Sequence, residues 1–366
     1  MRGRKNTKEE SMAWDYSFDT HVWIFSVGRG NAAFIRTGMN HGFILDMNST
    51  EFDVAKFIKN KFVRNLDSYK ENKIAQATLS HPHGDHIVQC SELQKGSPLY
   101  PTLLTCPHAK EPENGSPSEK VNWTRICNRE SDAENVETYK ALYSNRNLPL
   151  QTIQYVAGRN VPNLEYGLFY IRPPVCEKLH PSNDNDYGNS TSIMFYLRHG
   201  NNSVLFPGDM TPEGMDHILN EREGVEKRYT KFDSKWAASN STQYCKTGGQ
   251  PSLKSLLQQG LTILVAPHHG LESCYSSALF QAIKGGRPKL VVISERRKAH
   301  EGDANTHQNY GQSVCASGLK IQIDGRDEVR GCLTTKGGHH ILAVLENSGG
   351  TKIYAEKDPE RFLAML

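Results

Sequence analysis

Ser80-His81-Pro82-His83-Gly84-Asp85-His86 is the stretch that decides how this chain is read. It follows directly on the apolar-leaning run Ile74-Ala75-Gln76-Ala77-Thr78-Leu79, so it falls where a strand ends and a helix begins. Three imidazoles and a carboxylate are packed into the six positions from His81 to His86. Residues two apart in an extended segment point to the same side, so His81 and His83 can face one point. Asp85 and His86 can reach that point from the next turn. Neutral imidazole and carboxylate suit zinc or a similar divalent ion. The plainer account is a polar loop in which Asp85 caps the following helix. One histidine would leave that account ahead; three with an aspartate at this spacing do not.

Upstream, three apolar runs are separated by tight breaks: His21–Val27, Ala32–Arg36 and Phe43–Asp46. The breaks, Gly28-Arg29-Gly30-Asn31 and Gly38-Met39-Asn40-His41-Gly42, have hairpin composition, which gives an antiparallel meander. Val54, Phe57, Ile58 and Phe62 then share one face of an amphipathic helix. Downstream, strands are expected at Leu99–Cys106, Thr152–Val156, Leu168–Arg172, Ile193–Leu197, Val204–Phe206, Leu261–Ala266 and Leu290–Ser294. Four more close the chain, at Lys320–Ile323, Cys332–Thr335, His340–Leu345 and Lys352–Tyr354. Helices are expected just after the histidine-rich turn, from Ile87, and at Glu134–Leu142, Leu253–Gln258, Ser276–Ile283 and Tyr310–Ala316. Asn183–Ser190 reads as a polar loop and Glu295–His307 as a basic one. No repeat recurs at a fixed period. This order of elements points to an α/β fold with two packed sheets covered by helices. Residues 1–16 read as a flexible lead-in. Residues 17–366 read as one domain with polar insertions near 110–133 and 220–250.

The bulk numbers narrow the function classes. A hydrophobic fraction of 37% and a mean hydropathy of −0.60 fit a core interrupted by polar insertions. A net charge of +3 permits an anionic substrate without arguing for a dedicated nucleic-acid binder. The eight cysteines are scattered, with no C-x-x-C pair, so neither a disulfide framework nor a zinc finger is indicated. The first ten residues lack the apolar core of a secretory signal, and no run approaches the roughly 18 apolar residues of a membrane span. The expectation is a soluble, cytoplasmic protein.

Polar residues recur at the ends of the expected strands, where α/β proteins commonly place their sites. After the first cluster come Asp209, closing Val204–Phe206 through Pro207-Gly208, and His268-His269-Gly270, closing Leu261–Ala266. Singly, each has an ordinary reading. Asp209 can cap the turn into Met210-Thr211-Pro212-Glu213, and His268 and His269 can be hydrogen-bonded core histidines. Together they supply enough ligands for two metals, with Asp209 placed between them.

This set resembles the metallo-β-lactamase fold superfamily, whose H-x-H-x-D-H signature is matched by His81, His83, Asp85 and His86. Gly208-Asp209 and His268-His269 match the Gly-Asp and later His that complete the family's ligand order. Within the superfamily the chain is most similar to the competence-protein type, the soluble hydrolase domain of bacterial DNA-uptake channel proteins. The similarity rests on Val27–Ala32, Leu45-Asp46, the Ser80–His86 core, Asn189-Ser190, His268-His269-Gly270, and Asn305 with His307, and runs from about Val22 to Val344. Asn31 stands where the subgroup usually has Asp, and Met47-Asn48 where many members have Gly-Gly. The family's middle His has no sharp match; His180 is the best-placed candidate and His108 the other.

The resemblance implies a four-layer αββα sandwich holding two divalent ions, Zn2+ or alternatively Mn2+. It implies a hydrolase of phosphodiester bonds, a nuclease or phosphodiesterase, working through a metal-bridging hydroxide. His81 and His83 would hold one ion, and Asp85 and His86 the other. Asp209 would lie between them, and His268, His269 or both would complete the set. Asp85, His268 and His307 are the catalytic candidates. Asn305, Arg296 and Arg297 are the candidates for holding an anionic phosphoester or nucleic-acid substrate, although a solvated basic loop accounts equally for the two arginines. Two other readings stand beside this one. The same site can hydrolyse a carbon ester, thioester or lactam, or the chain can be a non-catalytic interaction module with a relict site. The di-iron oxidoreductase branch is disfavoured, because it usually carries an acidic residue where this chain has His83.

Overall fold

Near-continuous apolar runs build two sheets whose central strands are buried on both faces. The computed structural model of the chain describes residues 19–28, 30–38, 40–66, 73–94, 96–107, 164–231, 251–295, 310 and 315–365. The N-terminal half of the described chain gives β1 (Thr20–Ile24), β2 (Ala33–Arg36), β3 (Gly42–Leu45), helix α1 (Val54–Lys61), β4 (Ile74–Thr78), helix α2 (Gly84–Ile87) and β5 (Pro101–Thr105). Then follow β6 (Leu164–Ile171), α3 (Pro173–Leu179), α4 (Asp184–Ser190), β7 (Met194–His199), β8 (Asn202–Phe206), α5 (Pro212–Leu219) and β9 (Val225–Lys231). The remainder is α6 (Leu253–Leu257), β10 (Ile263–Val265), α7 (Ser277–Ala282), β11 (Leu290–Ile293), β12 (Leu319–Ile323), β13 (Arg326–Arg330), β14 (Cys332–Thr334), β15 (His340–Leu345) and β16 (Thr351–Glu356).

Among the described residues the strands form a nine-stranded sheet, ordered β13-β12-β16-β15-β1-β2-β3-β4-β5, and a seven-stranded sheet, ordered β14-β11-β10-β8-β7-β6-β9. Both are mixed. The meander β1-β2-β3 is antiparallel, whereas β3, β4 and β5 run parallel. In the second sheet β8, β10, β11 and β14 run parallel, and β6, β7 and β9 are antiparallel.

Side chains from alternate positions sort into three cores. Val22, Ile24, Ile35, Phe43 and Leu45 of the first sheet meet Tyr166, Phe195, Leu197, Val204 and Ile263 of the second in one cluster. The opposite face of the first sheet, with Trp23, Phe34 and Ile44, takes Val54, Phe57 and Ile58 of α1. The opposite face of the second, with Met194, Tyr196, Leu205 and Leu264, takes Met215 and Ile218 of α5, Leu253 of α6 and Leu279 of α7. Helix α1 shows the local logic. The carboxylate of Asp53 accepts from Lys56 N at its start, Lys59 and Lys61 lie in its last turn, and Val54, Ala55, Phe57 and Ile58 are buried.

The fold is thus mixed α/β with two mixed sheets and helices, in agreement with the sequence reading at that level. No helix among the described residues is long and apolar enough to cross a membrane. Four stretches fold differently from their sequence reading. Residues 183–190, read as a polar loop, form α4, because Asn183 caps it by accepting from Asp186 N and its last turn is buried. The histidine-rich turn itself starts a helix, α2, three residues before the expected Ile87. Val225–Lys231, read as part of a polar insertion, is the edge strand β9 paired with β6. β13 was not expected; it pairs with β12 across Asp324-Gly325, whose φ values of 46° and 79° make the tight turn. Residues 1–16, 110–133 and 232–250, with the helix and strand expected at Glu134–Leu142 and Thr152–Val156, lie outside the described residues, as do 311–314 of the helix expected at Tyr310–Ala316.

Candidate metal centre

The parallel strands carry their carboxyl ends to a common edge, and the site is assembled there from both sheets. β3 ends into Asp46, β4 into Ser80 and His81, β8 into Asp209, and β10 into His268 and His269. Three of these four turns are unusual in their backbone. Asp46, His268 and His269 adopt left-handed φ values of 54°, 48° and 56°, rare for residues with a side chain. Gly208, at φ 62°, lies against Ser80 and Ser192, where an added Cβ would come within 2.9 Å of each.

The first-cluster residues are held by one carboxylate. Asp46 Oδ1 accepts from Ser80 N at 2.6 Å. Its Oδ2 accepts from Ser80 Oγ at 2.9 Å and from His86 Nδ1 at 2.8 Å. With Nδ1 donating to Asp46, His86 turns Nε2 toward Asp209 Oδ1, 3.2 Å away. Ser80 Oγ also lies 3.1 Å from His81 Nδ1, so His81 presents Nε2 to Asp209 Oδ2 at 3.7 Å and to His83 Nδ1 at 3.0 Å. His269 Nε2 lies 3.2 Å from Asp85 Oδ2 and 3.5 Å from Asp209 Oδ2. His268 Nε2 is 3.6 Å from Asp209 Oδ2, with Nδ1 2.9 Å from Cys274 Sγ.

Charge in this cluster is set by a contest between burial and neighbours. Burial opposes the charged form of His86, but Asp209 and Asp46 outweigh it and hold the ring protonated well above the ordinary range. Burial likewise opposes charge on His269, yet Asp209 and Asp85 push it up to about 9. His81 goes the other way: burial and the neighbouring His86 keep it neutral. Burial favours the neutral form of Asp209 and of Asp85, but the facing imidazoles hold both carboxyls ionised, well below the usual range.

His81, His86 and Asp209, all buried, bring one donor atom each within 4.8 Å of one another, and Asp85, His86 and His269 do the same. His86 Nε2, Asp209 Oδ1 and His269 Nε2 are buried and make no hydrogen bond within the protein. A cation held among them would satisfy all three, and the imidazole–carboxylate set is the chemistry of a zinc or similar divalent site. These buried groups could hold a metal ion. Of the histidine pair, His269 joins a donor group, whereas His268 lies beside both, with its side chain 12% exposed.

The remaining sequence candidates divide. His83 sits against the cluster through His81. His180 belongs to neither donor group; it ends α3, and its Nε2 bonds Ser190 Oγ at 2.8 Å. His108, Arg296, Arg297, Asn305 and His307 lie outside the described residues. The role of Asp46 was not assigned in sequence, although a lone aspartate closing an apolar strand was its signal. Ser192, whose Oγ accepts from Asp209 N at 3.1 Å, had no such signal. No model of a known protein family matches the chain. A search of curated proteins likewise finds no match for it.

Proposed function

We propose that the chain is a metal-dependent hydrolase of phosphodiester bonds, built as a four-layer αββα sandwich of the metallo-β-lactamase type and holding two divalent ions, Zn2+ or Mn2+. The observation that carries this reading is the convergence of buried imidazole and carboxylate atoms that face one another without a hydrogen bond of good geometry, His86 Nε2, Asp209 Oδ1 and His269 Nε2, at strand ends from both sheets. Two apolar outer layers of helices and one shared inner core support the sandwich. Ions bound there would supply an acidified water as nucleophile and neutralise charge on the attacked oxygens.

The chain's own residues account for the rest. Asp46 fixes the tautomer and tilt of His86, and Ser80 fixes Asp46. Ser192 holds the backbone of Asp209, whose carboxylate belongs to one donor group and also faces His269 of the other. His268, held at Nδ1 by Cys274 and outside both groups, would give a proton to the departing oxygen as the phosphorus–oxygen bond breaks. The choice of phosphodiester over carbon ester rests on the similarity of the Ser80–His86, Asn189-Ser190 and His268–Gly270 motifs to the competence-protein type. The test is a substrate panel on the full chain: single- and double-stranded DNA, a bis-aryl phosphate, a thioester and a lactam, each with and without chelator. Chelator-sensitive cleavage of the bis-aryl phosphate is expected. Activity confined to the thioester or lactam would overturn the substrate class.

A further inference from the structure

The segment from Gly188 to Ile193 touches the site at both ends. At one end an added Cβ on Gly188 would lie 2.7 Å from His83 Nε2, so the backbone is in contact with that ring. At the other end Ser192 Oγ accepts from Asp209 N, and Ile193 N donates to Ser80 O at 2.9 Å. Between these anchors lies Asn189, fully buried, with neither Oδ1 nor Nδ2 hydrogen-bonded within the protein. An amide with both ends unsatisfied in the interior is costly and calls for a partner. His180, the sequence candidate for the family's middle His, is taken up elsewhere, because its Nε2 is engaged by Ser190.

Resting on the two-ion reading above, we infer that the side-chain carbonyl of Asn189 is the third protein donor to the ion beside His81 and His83. An amide oxygen is a harder donor than imidazole, so this position favours Mn2+ more than a three-imidazole set does.

The experiment is titration of the metal-stripped full chain with Co2+, read by its visible absorption and by metal content after dialysis, for wild type, Asn189→Ala, Asn189→Leu and Asn189→Asp. Leucine keeps the bulk without the oxygen, and aspartate keeps the oxygen. Wild type should bind two ions. The alanine and leucine variants should lose one of them, with an affinity for that ion lower by about tenfold or more, while the aspartate variant keeps both. Retention of both ions with an unchanged spectrum in the alanine and leucine variants overturns the inference, and so does loss of both ions in all three variants. Failure of the wild type itself to take up metal sinks the two-ion reading and this inference with it.

Discussion

Asp46 lies 40 residues before His86 in sequence, yet its two oxygens serve Ser80 N, Ser80 Oγ and His86 Nδ1 together. Asparagine tolerates the left-handed backbone found there but offers only one acceptor oxygen for these donors. Asp46→Asn is therefore expected to weaken metal binding by about 10–100-fold, measured by competition with a chelator, with the fold intact by circular dichroism. An unchanged affinity would remove Asp46 from the site. A second expectation concerns protons. His86 and His269 are held protonated in the metal-free protein, and a ligating imidazole must be neutral, so binding expels protons. Apparent metal affinity should fall as pH drops below about 9. Calorimetry in buffers of different ionisation enthalpy should find protons released, and none released would contradict the assignment. At this scale the sequence conveyed the clustered imidazoles and carboxylates well and the residues that hold them poorly. His81 to His86 declare themselves by spacing, whereas Asp46 and Ser192 act through contacts made only by folding. That His269 and not His268 joins a donor group goes with two consecutive left-handed residues that no composition announces.

The turns do more for the site than the regular elements they join. Gly208 adopts a positive φ, and its Cα is pressed between Ser80 and Ser192, so Gly208→Ala meets both backbone strain and a clash. The substitution should cost about 1–3 kcal/mol in denaturant unfolding and lower metal affinity by displacing Asp209. Wild-type stability and affinity together would show that this turn is not a constraint. The elements themselves were read unevenly. Apolar strands such as β1, β8 and β10 were legible because each is buried on both faces. Helix α4 was not, because its Asn- and Asp-rich composition disfavours helix and its stability comes from the Asn183 cap and burial. The charged edge strands β9 and β13 have the polarity of loops, since an edge needs few apolar residues. The Asp324-Gly325 turn was the available signal for β13.

Across the whole molecule, stability should respond to acid through a group far from the site in sequence. His21 on β1 is paired in register with Arg36 on β2. Burial, with the nearby Arg36 charge, pulls its pKa down to about 3 from 6.5. The unfolded chain therefore takes up the proton first, so this contribution is complete above pH 6.5 and is lost as pH falls from 6.5 toward 3. The loss should reach about 3 kcal/mol by pH 4.5, and His21→Phe should flatten that part of the profile in denaturant melts. A variant with the wild-type slope would assign the acid sensitivity elsewhere. The two-sheet α/β architecture was legible from the spacing of apolar runs, because that spacing is what buries three cores. The central claim is that the convergent donors form a metal centre, and elemental analysis of the full chain, purified without chelator and beside Asp209→Ala, tests it most directly. The account predicts about two divalent ions per wild-type chain and a marked loss in the variant. A wild-type protein that carries none, and takes up none on dialysis against zinc or manganese, would contradict it.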